Sequence, residues 1–247
     1  MEILSQFLLR LAFGLAFGMA ITSPQRVSSG FFRNHLYVTL GLATLAALVL
    51  VQLSSPAAWL AGGAAVLSFL GAALWLYDAK RAGMAILWLV GLCALTAALW
   101  DQPTAIDGHT ALRSIAVITS GLVLGVTTAA MLLGHWYLNA PGMELAPLRR
   151  LIAVAAIAVG LQALVSGVGL AAEFSLRSQL SSAWLLFVLL RWSFGLFGVI
   201  GLLWMARETL KIPNTQSATG ILYVAVIGVF VGELTSALLS AESAFPL

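Results

Sequence analysis

The stretch from Arg113 to Gly134 reads RSIAVITSGLVLGVTTAAMLLG, and after its first residue it contains no charged side chain. A helix needs about 20 mostly apolar residues to cross the hydrocarbon core of a bilayer. A strand of a membrane barrel would be shorter and would alternate apolar with polar residues, which this stretch does not do. The stretch therefore predicts a transmembrane helix.

Seven more stretches of this character lie along the chain. The predicted transmembrane helices, numbered 1 to 8 in chain order, cover residues 3–21, 36–53, 58–77, 83–100, 113–134, 150–172, 182–206 and 217–240. Turn-forming residues separate them, as in Ser54-Ser55-Pro56. We therefore expect an all-α integral membrane protein of eight transmembrane helices, built from repeated helical hairpins, with short loops and no soluble domain. Within this single bundle over residues 1–247, we predict a first four-helix unit at 1–100 and a second at 113–240.

Composition supports the same class of protein. The chain has 247 residues, of which 61% are hydrophobic and 9% charged, and its mean hydropathy is +1.03. Soluble domains are about 25% charged, and one of this size could not bury so much apolar surface. A soluble globular enzyme is thereby excluded, and the lone Cys93 excludes a disulfide-rich scaffold. No zincin, P-loop or nucleophile-elbow motif occurs, so no metal site is predicted and nothing points to catalysis by the chain alone.

The basic residues are unevenly distributed between the two ends of the predicted helices. One end, the basic face, carries eight of the twelve lysines and arginines. The opposite end, the terminal face, holds both chain termini and only Arg113 and Arg177. We expect the protein to lie in a cell inner membrane. By the positive-inside rule, its basic face is cytoplasmic and both termini are outside. Anionic lipid headgroups account for the positive net charge, so no nucleic-acid partner is predicted. The residues that define the basic face are Arg26, Arg33, Lys80, Arg81, Arg149, Arg150, Arg207 and Lys211.

Parts of the sequence repeat. Residues 8–18 read LLRLAFGLAFG and residues 189–198 read LLRWSFGLFG, and the helices that follow contain HLYVTLGL from His35 and ILYVAVIG from Ile221. We predict an internal duplication with all repeats in one orientation, although the shared composition of membrane helices would also produce part of this likeness. Glycine pairs four residues apart, such as Gly14 and Gly18, predict close helix contacts, either within the chain or between two copies.

Three charged residues fall deep inside the predicted helices. Counted from the terminal face, Arg10, Arg191 and Glu233 lie about 10–14 Å along their helices. A charge at that depth costs several kcal/mol unless it is paired or wetted, so we predict that Glu233 pairs with one or both arginines, which leaves one positive charge over. The cluster is interpreted as a structural ion pair or as a site for an anionic ligand or a proton, with Arg10 reaching to the outer surface as a third alternative. Gln162 and Ser166 lie at a similar depth, where they extend the cluster or bond a neighbouring helix.

A second polar group lies at the basic face. Helix 5 ends in His135, Tyr137 and Asn139, and helix 2 begins with His35 and Tyr37. Imidazole, phenol and amide groups at a membrane boundary suit the headgroup of a quinone, which needs hydrogen-bond donors and a stacking surface. A haem at mid-depth is not predicted, because no two histidines face each other there, and a haem held by His35 and His135 near the basic face is not favoured. The alternative is an aromatic belt with ordinary helix caps, for which the sequence offers Asn34 and Ser217.

Three functions are compatible with these patterns. The leading interpretation is an integral membrane subunit of a larger respiratory or redox complex, a quinone-interacting anchor with protein partners. Its eight-helix layout is similar to that of the membrane anchors of the dimethyl-sulfoxide reductase class, although no sequence motif of that family is present. The second is a small secondary transporter that uses the Arg10, Arg191 and Glu233 cluster, although no helix shows the mid-span break found in many carriers. The third is a scaffold subunit whose polar residues only specify helix packing.

Overall fold

The computed structural model describes residues 1–102, 110–140, 142–176, 181–212 and 214–247, and this part of the chain contains helices and turns but no strand. An all-helical fold is therefore confirmed. Eight helices are long and apolar enough to cross a bilayer, which fits a multi-pass membrane protein in contact with lipid. Arg177, which the sequence places at the terminal face, lies outside the described residues. The helices are α1 (Glu2–Ala20), α2 (Ser29–Gln52), α3 (Ala57–Leu76), α4 (Lys80–Trp100), α5 (Thr110–Asn139), α6 (Ala146–Leu176), α7 (Ser182–Thr209) and α8 (Thr215–Ala241).

Helix α2 starts well before the predicted boundary at residue 36. It begins at Ser29, so His35 and Tyr37 lie inside the helix rather than at its start. The predicted boundary followed the apolar stretch, whereas a helix continues into the headgroup region as long as its backbone hydrogen bonds are kept. The same reason explains why α5 and α6, with 30 and 31 residues, exceed their predicted lengths.

The helix caps also differ from the prediction. Asn34 is internal to α2, and Ser28 occupies the N-cap position of that helix. At the start of α8, the side chain of Asn214 accepts a hydrogen bond from the backbone N–H of Ser217. The cap is thus Asn214, and the predicted capping roles of Asn34 and Ser217 are wrong.

The described helices pack as two rings. In the first ring α1 contacts α2 and α4, and α3 contacts α2 and α4; in the second, α5 contacts α6 and α8, and α7 contacts α6 and α8. The rings meet chiefly where α1 packs on α5. These two helices accordingly have the largest shares of buried residues, 67% and 72% of their apolar 18-residue cores, whereas only 22% of the corresponding residues of α7 are buried. The internal duplication itself stays a prediction.

Glycines set the distance between α1 and α5. A Cβ atom added at Gly14 would lie 1.8 Å from the carbonyl oxygen of Gly121, and one added at Gly125 would lie 1.9 Å from the carbonyl carbon of Gly14. The two backbones therefore touch. Close contact of this kind gains dispersion energy, which matters in a membrane because the hydrophobic effect does not drive helices together there. In the described residues these glycines serve a contact within the chain, and the crossing begins one turn after Arg10.

Helix α7 changes its helical type near its middle. Residues Ser182–Leu190 and Val199–Thr209 are α-helical, whereas Arg191–Gly198 form a π-helix. A π-helix has wider turns, and such segments often lie at functional sites. The helix nevertheless runs continuously from Ser182 to Thr209, so the prediction that no helix is interrupted in mid-span is not contradicted. Hydropathy does not reveal this change, because the mean hydropathy of the helix remains that of a membrane span even though the π segment contains Arg191.

Candidate functional site

Arg191 and Glu233 form an ion pair between α7 and α8. Arg191 Nη1 lies 2.8 Å from Glu233 Oε1, and the two side chains are 1% and 2% exposed. Breaking such a pair would leave a charge without compensation in a medium of low dielectric constant, which is far more costly than keeping both. The contact is the one expected from the common depth of these residues.

Two glycines make room for this ion pair. A Cβ atom at Gly195 would lie 2.6 Å from the Cα atom of Gly232, and one at Gly232 would lie 3.1 Å from Arg191 Nη1. Gly195 follows Arg191 by one turn, and Gly232 directly precedes Glu233. Helices α7 and α8 thus touch backbone to backbone beside the pair, and a larger side chain at either position would push the two charges apart.

Ser120 of α5 connects Glu233 to Arg10. Its hydroxyl donates to Glu233 Oε2 over 2.5 Å, and Arg10 Nη1 donates to Ser120 Oγ over 3.5 Å. Nε and Nη2 of Arg10 donate to Gln6 Oε1, one turn earlier in α1, over 3.3 and 3.2 Å. Arg10, Ser120, Glu233 and Arg191 therefore form one chain of contacts across four helices, which we call the charge layer.

The charge layer contains two cations and one anion. Glu233 contacts Arg191 directly but reaches Arg10 only through Ser120. Among the described residues, no carboxylate forms an ion pair with Arg10, and Nε and Nη2 of Arg191 have no hydrogen-bond partner. An unbalanced positive charge in a poorly solvated place attracts an anion or water.

A cavity of about 150 Å³ extends from the terminal face to Arg10. Glu2, Asp101 and Arg113 line its outer part, and Arg10 and Gln162 line its inner part. Arg10 follows Glu2 by eight residues, or about 12 Å along the helix. The volume suits several waters or a small solute and is below the roughly 300–1,000 Å³ of pockets for drug-sized ligands. The charge layer is thus within reach of one side of the molecule.

Gln162 supplies a second polar group to the inner end of this cavity. It is 2% exposed, and its Oε1 accepts a hydrogen bond from the hydroxyl of Thr119. Its Nε2 has no hydrogen-bond partner in the described part of the chain. Ser166, one turn later in α6, is 1% exposed and its hydroxyl also lacks such a partner, but it does not line the cavity. Of the two predicted extensions of the cluster, Gln162 is therefore the one that lines the cavity together with Arg10.

The segment 242–247 folds back along α8 and forms one wall of the cavity. Arg113 Nη2 donates to the carbonyl oxygen of Ala244 over 2.9 Å, and the N–H of Ala244 donates to Glu173 Oε2 over 3.1 Å. Pro246 and Leu247 then line the cavity, with the carbonyl of Pro246 packed against α6 where Gly169 leaves space. The cavity is thus closed on that side by backbone held in place at both α5 and α6.

The residues predicted for a quinone headgroup lie in different surroundings. His35 is buried, with Nδ1 2.6 Å from the carbonyl oxygen of Phe31, whereas Tyr37 is 49% exposed. The hydroxyl of Tyr137 donates to the carbonyl oxygen of Glu144, between α5 and α6. These three side chains have different surroundings, and none of them lines the Arg10 cavity.

His135 and Asn139 are exposed at the end of α5. His135 Nδ1 lies 3.2 Å from the hydroxyl oxygen of Tyr223 in α8, which forms an exposed imidazole–phenol pair at the basic face. Tyr223 occupies the place in the repeated ILYVAVIG stretch that Tyr37 occupies in HLYVTLGL. A quinone site at this face stays a prediction.

Sequence reasoning missed Ser120 and Gln6 as members of the site. Gln6 carried a usable signal, because it precedes Arg10 by four residues and side chains at that spacing are neighbours on a helix. Ser120 carried none, because α5 also contains Thr119, Thr127 and Thr128. Only the packing of α5 against α8 distinguishes the hydroxyl that meets Glu233.

Comparison with known proteins found no protein-family model, no curated protein and no solved structure that matches this chain. The case for the site therefore depends on its own geometry and charge.

Proposed function

We propose that this chain is a small secondary transporter for a small anion. In this proposal the cavity is the entrance from the terminal face, and the charge layer is the binding and coupling site. The observation that carries it is access: the cavity reaches a guanidinium that forms no ion pair with a described carboxylate. A scaffold needs an ion pair to fix helix packing, but it has no use for a cavity that leads from the terminal face to the layer.

The π segment of α7 gives this proposal further support. Segments of π-helix within α-helices frequently lie at functional sites. Arg191 is the first residue of the π segment, and Gly195 within it touches Gly232 of α8. The ion pair therefore belongs to the one described helix whose hydrogen-bond pattern changes in mid-span.

Counterflow in proteoliposomes tests the proposal. Vesicles containing the purified protein are loaded with an unlabelled anion and diluted into the labelled anion, separately for chloride, phosphate and lactate. We expect labelled anion to accumulate transiently for at least one of the three, because a carrier exchanges its substrate across the membrane whatever ion it couples to.

Variants link that exchange to the site. Arg10→Gln and Glu233→Gln should abolish counterflow, and Arg207→Gln, which removes an exposed arginine at the basic face, should retain it. Absence of counterflow for all three anions, or counterflow that is unchanged in Glu233→Gln, contradicts the proposal.

A membrane subunit of a redox complex is the second candidate, and the exposed His135–Tyr223 pair is the observation in its favour. An imidazole and a phenol that share a hydrogen bond at the membrane boundary can donate to a quinone carbonyl. Co-purification of quinone and of redox partner subunits, with loss of electron transfer in His135→Ala, is expected if this candidate is right. A complex without quinone, or one that His135→Ala leaves fully active, excludes it.

A further inference from the structure

We infer that the Arg10 cavity binds a small aliphatic monocarboxylate, such as acetate or lactate. The inference rests on the proposed transport site and names its substrate class. It follows from three properties of the cavity: unused hydrogen-bond donors, a charge surplus of one, and walls that are mostly apolar.

The unused donors come from Arg10 and Gln162. A guanidinium has five N–H groups, and Arg10 engages three of them, two with Gln6 and one with Ser120. The other two have no partner among the described residues, and neither has the Nε2 amide of Gln162, which is 2% exposed. Donors without acceptors in a confined space bind a group that only accepts, and a carboxylate with two oxygens is such a group.

The charge of the layer limits the ligand to one negative charge. Arg10 and Arg191 carry two positive charges and Glu233 one negative, so one anion with a single charge brings the layer to neutrality. At the outer part of the cavity, Asp101 and Glu2 outnumber Arg113. Asp101 is held there by the hydroxyls of Ser5 and Ser55, at 3.3 and 2.8 Å. A dianion would meet these carboxylates and would leave excess charge inside, which a site of low polarity disfavours.

The walls favour an organic anion over an inorganic one. Besides its polar groups, the cavity is lined by Ile3, Ala116, Val117 and Ala237. A methyl or short alkyl group gains from contact with these side chains, whereas a chloride or phosphate ion has no apolar part that could make such a contact. The volume of about 150 Å³ leaves room for a short chain only.

Binding is measured on the purified full-length chain in detergent, by thermal unfolding and by calorimetry at constant ionic strength. The probes are sodium acetate, acetamide as the uncharged analogue, chloride and phosphate. We expect acetate to raise the unfolding temperature with a saturable dependence on concentration, and acetamide to have no such effect. Chloride or phosphate binding as tightly as acetate would overturn the inference, and so would a lack of saturable binding by acetate.

Variants of the cavity complete the test. Arg10→Gln should weaken acetate binding about tenfold to hundredfold, the loss expected for hydrogen bonds to a charged group. Arg10→Lys should keep part of the affinity, and Arg207→Gln should keep all of it. If Arg10→Gln fails to fold, Gln162→Glu provides the same test by placing a negative charge beside the ligand. Undiminished acetate affinity in the cavity variant that folds overturns the inference.

The binding and transport experiments can fail separately. Acetate binding that depends on Arg10, without counterflow of any anion, supports the inference and contradicts transport. Counterflow of phosphate or chloride without acetate binding supports transport and contradicts the inference.

Discussion

The single residue on which most of the charge layer depends is Glu233, because it compensates Arg191 directly and Arg10 through Ser120. Glu233→Met should lower the free energy of unfolding by about 3–5 kcal/mol, since it leaves Arg191 buried and unpaired. The double variant Arg191→Met/Glu233→Met should cost less than Glu233→Met alone, because no charge is then left behind. Unfolding in detergent, followed by circular dichroism, measures both. If the double variant is the less stable of the two, an unpaired Arg191 does not cost the free energy that this prediction requires.

The hydroxyl of Ser120 is a second point where one atom matters. Ser120→Ala removes a hydrogen bond to a buried carboxylate, which is worth about 1.5–3 kcal/mol, and breaks the link to Arg10. We expect that loss of stability together with altered anion affinity at Arg10. Ser193→Ala is the matched control, because Ser193 is exposed and bonds only the carbonyl of Leu189 in its own helix. Equal effects of the two substitutions would show that the Ser120 link is without importance.

At this scale the sequence predicts which charges are costly but not how they are satisfied. The depth of Arg10, Arg191 and Glu233 follows from counting residues along apolar stretches, and it marks them as members of one layer. Which arginine meets the carboxylate directly depends on the rotation and approach of the helices. These are decided by packing at positions such as Gly195 and Gly232, so the direct pair with Arg191 and the indirect one with Arg10 could not be separated beforehand.

Among the helices, the crossing of α1 and α5 is the contact least tolerant of added volume. Gly14→Ala would place a methyl group 1.8 Å from the carbonyl oxygen of Gly121, so the helices must separate. We expect a loss of stability of at least about 1–3 kcal/mol, as for other overpacked interiors, together with weaker anion binding because Arg10 lies one turn away. Gly62→Ala in α3 is the control, because nothing lies within 4 Å of its added Cβ and alanine is the better helix former. A Gly14→Ala protein as stable as Gly62→Ala would contradict the close crossing.

Helix number and helix length were predictable to different degrees. Eight apolar stretches give eight helices, because a backbone in lipid must satisfy its hydrogen bonds internally. Boundaries at the basic face were not predictable from hydropathy, since α2 gains its first turns from residues that are not especially apolar. The π segment of α7 could not be predicted from hydropathy either, because apolar side chains suit a π-helix and an α-helix equally well in a membrane.

On the scale of the whole molecule, the asymmetry of the two ends is what turns a buried charge layer into a directional site. The cavity opens toward the terminal face, while the basic face holds eight of the twelve lysines and arginines. If the positive-inside rule applies, the entrance of the cavity is on the outside of the cell membrane and an anion would enter from there. The side to which the cavity opens in this conformation therefore depends on an orientation that can be measured independently of any substrate.

Cysteine labelling of intact cells measures that orientation. In a Cys93→Ala background, which removes the only native thiol, single cysteines are introduced as Gln25→Cys between α1 and α2 and as Ser54→Cys between α2 and α3. Both positions are exposed, and they lie at opposite ends of α2. We expect a membrane-impermeant maleimide to label Ser54→Cys in intact cells and Gln25→Cys only after the membrane is permeabilised, because the basic face is retained inside. The reverse pattern would place the Arg10 cavity on the cytoplasmic side, and the structure would then be the state of the protein that is open to the cytoplasm.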